Sequence, residues 1–116
     1  MMEPVEVDGP PTHLIYMTVR DRSEALQIAE EVVRERLAAC ANILPQVTSI
    51  YEWQGKMQTE EECVVILKTH ESRVSWLVDR LIELHSYDCP CVVSVPIGSG
   101  NSAFLEWVRD QTRPLI

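Results

Sequence analysis

Residues 63–67 read Cys-Val-Val-Ile-Leu, apolar at five successive positions. They lie within Met57–His70, a run rich in Val, Ile and Thr that reads as a strand. Successive side chains of a strand point to opposite faces, so an unbroken apolar run asks for burial on both. Cys91-Val92-Val93, opening a later strand predicted over Cys91–Ile97, makes the same demand. A chain of 116 residues fits one domain. Its few helical segments cannot cover both faces of a sheet. The simplest cover is another copy of the chain, and the sequence predicts a homo-oligomer.

The remaining elements follow from periodicity and punctuation. His13–Arg20 is short and rich in β-formers, a first strand. Asp21 with Glu24 three residues on resembles a capping box. Ala25, Ile28, Ala29, Val32, Val33 and Leu37 then recur at helical spacing, predicting a helix over Arg22–Ala39. Cys40–Trp53 and Met57–His70 form a long hairpin joined at Gln54-Gly55-Lys56, with Pro45 marking a bulge in the first arm. Ser72 is placed to cap a second helix whose apolar face holds Val74, Leu77, Val78, Leu81, Ile82 and His85. Asn101 or Ser102 caps a last helix with Phe104, Trp107 and Val108. The order β-α-β-β-α-β plus a C-terminal helix is the α+β, ferredoxin-like layout: an antiparallel sheet with helices on one face. Residues 1–12, rich in Pro and acids, read as a flexible N-terminal tail, and 13–116 as the single domain.

Charge narrows the function classes. A net charge of −8 repels phosphate backbones and argues against nucleic-acid binding. No apolar run approaches the roughly 20 residues of a membrane helix, and the N-terminus lacks the basic and apolar segments of a signal peptide. The expected location is cytoplasmic, where Cys40, Cys63, Cys89 and Cys91 are thiols.

Chemistry concentrates in His85-Ser86-Tyr87-Asp88-Cys89-Pro90-Cys91. Proline holds the residue before it extended, which puts Cys89 and Cys91 on the same side. Their Cβ atoms are then roughly 6–7 Å apart, too far for an unstrained disulfide. Leaning inward, the two sulfurs suit a soft metal such as Cu(I), with His85 a turn away as a further ligand. The competing reading is packing, since free cysteine behaves as a small hydrophobe and His85 continues an apolar helix stripe. Core packing is the expected role of Cys40 and Cys63. Lys68 shares a face with Val64 and Ile66 and needs a partner, either a carboxylate across an interface or a bound anion. Tyr51, Trp53 and Trp107 are packing or interface aromatics that can also stack on a ligand. Lys56, at the hairpin tip, is a solvated charge. No phosphate-binding glycine loop or nucleophile elbow is present, and the chain does not read as an enzyme.

Leu37–Pro45 (LAACANILP), Ser49–Met57 (SIYEWQGKM), Glu62–Thr69 (ECVVILKT) and the His-x-Tyr-x-x-Pro core at His85, Tyr87 and Pro90 together resemble the CutA divalent-cation-tolerance family, from about His13 to Arg113. The resemblance implies a tight homotrimer similar in architecture to PII signalling proteins, without catalytic activity or a metal needed for folding. It implies a role in tolerance of divalent metals, copper above all, with copper or another divalent ion bound. Candidate metal ligands are His85, Cys89, Cys91 and Cys40. The alternative is a PII-like sensor or scaffold that binds a small anion or a partner in the clefts between subunits, near Lys68, Tyr87, Tyr51 and Trp53. The short hairpin turn counts against a close PII analogy. Cys91 stands where the family usually has a glutamate, a change from a hard to a soft donor. Ser86 and Asp88 replace a proline and a glutamate. Copper chaperones of the same layout carry cysteines after the first strand, where this chain has Met17–Glu24 without any.

Overall fold

A computed structural model describes residues 9–114. The elements are β1 (Thr12–Val19), α1 (Arg22–Arg34), β2 (Cys40–Trp53), β3 (Lys56–His70), α2 (Val74–Leu84), β4 (Val92–Pro96) and α3 (Ser102–Gln111). The four strands form one antiparallel sheet in the order β2-β3-β1-β4, the expected ferredoxin-like topology. Of the expected tail, residues 1–8 lie outside the described residues. The first strand starts at Thr12, whose side chain is buried and donates to the Pro10 carbonyl at 2.8 Å.

Alternation decides which side of the sheet carries the core. Ile15, Met17 and Val19 of β1 and Cys63, Val65 and Leu67 of β3 point one way. They meet Ala25, Ile28, Ala29 and Val32 of α1 and Leu77 and Leu81 of α2. The helices are tied to each other by Arg80, whose Nε and Nη2 donate to the Glu35 carboxylate at 2.9 and 2.8 Å. The molecule is about 22 Å through its thinnest axis, the depth of one helix layer on one sheet.

The other sheet face presents aligned rows: Asn42, Ile66, Tyr16 and Val93 across all four strands, and Cys40, Lys68, Leu14 and Val95 beside them. Tyr16, Leu44, Val93 and Val95 are 39–50% exposed there. The expected two-sided burial holds for β3, where Val64 and Val65 are both buried. In β4 the strand opens at Val92 rather than Cys91, and Cys91 and Val93 are exposed in the single chain. Among the described residues no second layer lies over Val93 and Val95.

Local signals explain most boundaries. Asp21 caps α1, accepting from the Glu24 N–H at 2.9 Å. The helix stops at Arg34 rather than Ala39, because Arg36 takes the left-handed conformation (φ 62°). Leu37 N–H then reaches Val32 O and Arg36 N–H reaches Val33 O, both at 3.0 Å, a Schellman end. Arginine is not the usual residue there. Its guanidinium donates to the Asp110 and Arg113 carbonyls at 3.1 Å, at the C-terminal end of α3. His70, not Ser72, caps the single turn Glu71–Arg73 before α2, its Nδ1 accepting from the Ser72 N–H. The hairpin turns on Gln54 (φ 51°) and Gly55 (φ 78°), and two consecutive positive φ values match the twist of the flanking strands. Pro45 lies in the predicted bulge, between the Leu44–Val64 and Val47–Glu62 pairs. Beyond it the hairpin leaves Ile50, Trp53 and Met57 61–69% exposed.

Candidate functional site

The turn after α2 is pinned at three successive residues. His85 is buried, and its Nδ1 accepts the Tyr87 N–H at 3.0 Å. The proton therefore sits on Nε2, which donates to the Thr18 carbonyl at 2.8 Å. Ser86 N–H donates to Glu24 Oε2 at 3.0 Å, while Glu24 Oε1 accepts the Arg20 N–H at 3.1 Å. Burial pushes the Glu24 carboxyl up. The Ser86 and Arg20 donors and the nearby imidazole pull it further down, and the net direction is below the usual glutamate range. The Tyr87 ring packs against the imidazole in a tilted arrangement, centroids 4.7 Å apart, and its hydroxyl donates to Glu62 Oε2 at 3.0 Å. Burial and the adjacent Glu62 carboxylate hold its phenol well above the usual tyrosine range.

These contacts fix the helix end to β1, α1 and β3 and leave the rest of the turn outside. Asp88, Cys89 and Cys91 are exposed, with Pro90 between the two thiols. His85, expected as a metal ligand, has both ring nitrogens engaged within the fold and offers none for coordination. Cys40 is also separate. It lies on β2, opposite Lys68, at the sheet edge away from β4. Three strand spacings, about 14 Å, divide the two edges. Burial pushes the Cys40 thiol up, against a smaller pull from the Lys68 charge. Cys63 is buried, as expected, and its thiol also donates to the Pro45 carbonyl of the bulge at 3.0 Å. Among the described residues all four thiols are free, and no group of three or more His, Cys, Asp or Glu side chains is placed to hold a metal. The expected set of His85, Cys89, Cys91 and Cys40 is not one site within a protomer.

The candidate cleft residues separate as well. Lys68 lies on the bare sheet face and donates to Asn42 Oδ1, a neutral partner. Tyr51 and Trp53 lie on the hairpin arm and are exposed. Tyr87 belongs to the pinned turn. Sequence reasoning read Glu24 as a cap residue only and gave Glu62 and Arg36 no role. The capping-box spacing was the one available signal for Glu24, and it says nothing of the contact to Ser86.

Fold and site define a small α+β domain with one sheet face partly exposed and a hydrogen-bonded turn that carries two exposed thiols. A family model described as "CutA1 divalent ion tolerance protein" matches residues 13–111. The chain belongs to this family. It is 40% identical over 103 residues to the chloroplastic CutA protein of Arabidopsis thaliana, covering 89% of this chain and 57% of that protein. It is 40% identical over 99 residues to the divalent-cation tolerance protein CutA of Thermus thermophilus, covering 85% and 96%. The chain thus spans little more than half the length of its plant and human relatives and nearly all of the bacterial one. Among solved structures, CutA1 from Oryza sativa superposes with a TM-score of 0.87 at 39% identity, covering 90% of this chain and 96% of that one. The Thermus thermophilus protein superposes at 0.84 and 39%, covering 88% and 99%. The family is named for tolerance of divalent ions and not for a reaction.

Proposed function

We propose that this protein acts in divalent-cation tolerance, copper above all, as a non-catalytic homotrimer that binds copper or another divalent metal. The observation that carries the assembly is the bare sheet face, with Tyr16, Leu44, Val93 and Val95 half exposed in one patch across the strands. A patch of this kind marks an interaction surface. The exposed aromatics of the projecting hairpin extend it. Family membership supports the cation role and the trimer. Free thiols fit a reducing compartment, and the cytoplasm is the location we propose.

Native mass spectrometry with metal titration on one sample tests this reading. A trimer that takes up copper at a fixed ratio per chain supports it. A 13.3 kDa monomer, or an assembly that takes up no divalent or cuprous ion, sinks it. A second reading, a PII-like scaffold binding a small anion in the inter-subunit clefts, rests on Lys68, which faces only a neutral amide. It predicts thermal stabilisation by millimolar nucleotides or small acids that Lys68→Ala abolishes.

A further inference from the structure

We propose that the outward face of α2 is a docking groove for a basic segment of another protein, one groove per protomer, with Trp76 as its anchor. The groove lies apart from the exposed sheet face and from the turn after α2.

The spacing of α2 builds it. Leu77 and Leu81 are buried in the core, which turns Trp76, Asp79, Arg80 and Glu83 to the other side at helical intervals. Together with Ser75 and with Leu37, just past α1, they line an open groove of about 410 Å³.

Trp76 is 65% exposed, more than any other large apolar side chain of the three helices. Tryptophan is among the residue types that most often anchor an interface. Its ring already takes a cation, since the Arg73 guanidinium carbon sits 5.7 Å from the ring centroid.

Charge decides the partner. Arg80 is saturated: its Nε and Nη2 donate to Glu35 and its Nη1 to Glu83. Arg34 is taken by Glu31. Asp79 pairs with no cation among the described residues. The carboxylates of Glu31, Glu35, Asp79 and Glu83 thus stand against the guanidiniums of Arg34 and Arg80, and still outnumber the cations when Arg73 is added. An acidic rim around an apolar floor matches a segment that sets an apolar side chain on Trp76 and Leu37 and lysines or arginines against Asp79 and Glu83.

Other occupants fit worse. A second copy meeting this face about a twofold axis brings Asp79 and Glu83 against the same carboxylates. Residues 1–8 carry Glu3, Glu6 and Asp8 and no Lys or Arg, so this segment has the wrong sign. Nucleic acid has the wrong sign too. Among the described residues these carboxylates form no cluster able to hold a metal ion.

The test titrates the full chain, isotope-labelled at its indole nitrogens, with a blocked peptide Lys-Arg-Leu-Leu-Arg-Lys up to millimolar concentration. NMR reads the indole N–H signals. Trp53 and Trp107 are internal references, and Trp76→Phe identifies the remaining signal. The expected result is a saturable shift confined to Trp76 that declines as salt rises. Asp79→Lys should weaken binding about fivefold or more. Glu30→Lys makes the same change of net charge at a different groove, beside Leu26 and Val33, and should leave the affinity within about twofold. No shift at millimolar peptide overturns the site. So does a shift shared with Trp53 and Trp107, or equal weakening by Glu30→Lys and Asp79→Lys, because either reports only the general field of an acidic chain. Equal affinity for a peptide with Glu or Ser at the basic positions refutes the charge assignment. A Trp76 shift that grows with protein concentration in the absence of peptide refutes the basic partner in favour of a second copy. None of these outcomes bears on metal uptake or cation tolerance, which stand or fall by their own test.

Discussion

Replacing Val93 by aspartate tests the proposed assembly at one atom-sized position. Val93 lies on β4 opposite Tyr16, in the row that continues through Ile66 to Asn42, and is 50% exposed in the lone chain. Full burial of a valine side chain contributes about 1.5 kcal/mol or more, so covering the exposed half contributes about 1 kcal/mol per protomer. Symmetry repeats the loss three times in a trimer, about 3 kcal/mol. Aspartate adds the cost of placing a carboxylate in a dry interface, several kcal/mol per ion and again repeated. The sum exceeds about 8 kcal/mol, more than five orders of magnitude in the association constant. Sedimentation velocity at low micromolar concentration should therefore report monomers of 13.3 kDa for Val93→Asp and trimers for wild type. Ile82→Asp is the control. Ile82 is 47% exposed on α2, on the helix layer, where the neighbouring groove is lined by Asp79, Arg80 and Glu83. It should leave the trimer intact. A trimeric Val93→Asp, or dissociation by Ile82→Asp instead, refutes the assignment of the sheet face.

Three further outcomes are expected from the contacts around the turn and helix ends. Arg36→Ala keeps the left-handed strain and loses the two bonds to the end of α3, whereas Arg36→Gly loses the bonds and relieves the strain. Urea unfolding should find the alanine variant less stable than the glycine variant by about 1 kcal/mol, and equality would dismiss the helix-end argument. Glu24→Gln leaves one backbone N–H at the turn facing an amide donor and should cost about 1.5–3 kcal/mol at neutral pH. Because the folded Glu24 pKa is depressed, its contribution is full above the usual glutamate value and lost as pH falls through the folded value. Wild type and Glu24→Gln should therefore converge in acid; a constant gap across that range contradicts the assignment. Tyr87 has the opposite sign. Its raised phenol pKa gives stability that is present below the ordinary tyrosine value of about 10 and declines as pH rises beyond it, and Tyr87→Phe should flatten that alkaline decline.

Helix and strand periodicity, the Asp21 cap, the Gln54-Gly55 turn and the Pro45 bulge were all legible, because each is written in residues next to one another in the chain. Apolar runs on successive strand positions also pointed to a missing cover. The errors share a different cause. Apolar spacing extended α1 to Ala39 because it cannot register that Arg36 turns left-handed, a conformation supported by carbonyls of residues 110 and 113. Ser72 looked like a cap because the rival, His70, is not among the usual capping residues.

The site residues divide along the same line. The order of residues along the chain shows directly that Cys89 and Cys91 stand two apart across a proline. Only the tertiary structure decided that Cys40 is at the far sheet edge and that the His85 ring is used up between Thr18 and Tyr87. Local stereochemistry acts over a few residues and can be read from them directly. Which donor meets which acceptor across 67 residues, as His85 meets Thr18, depends on how the strands are ordered and packed.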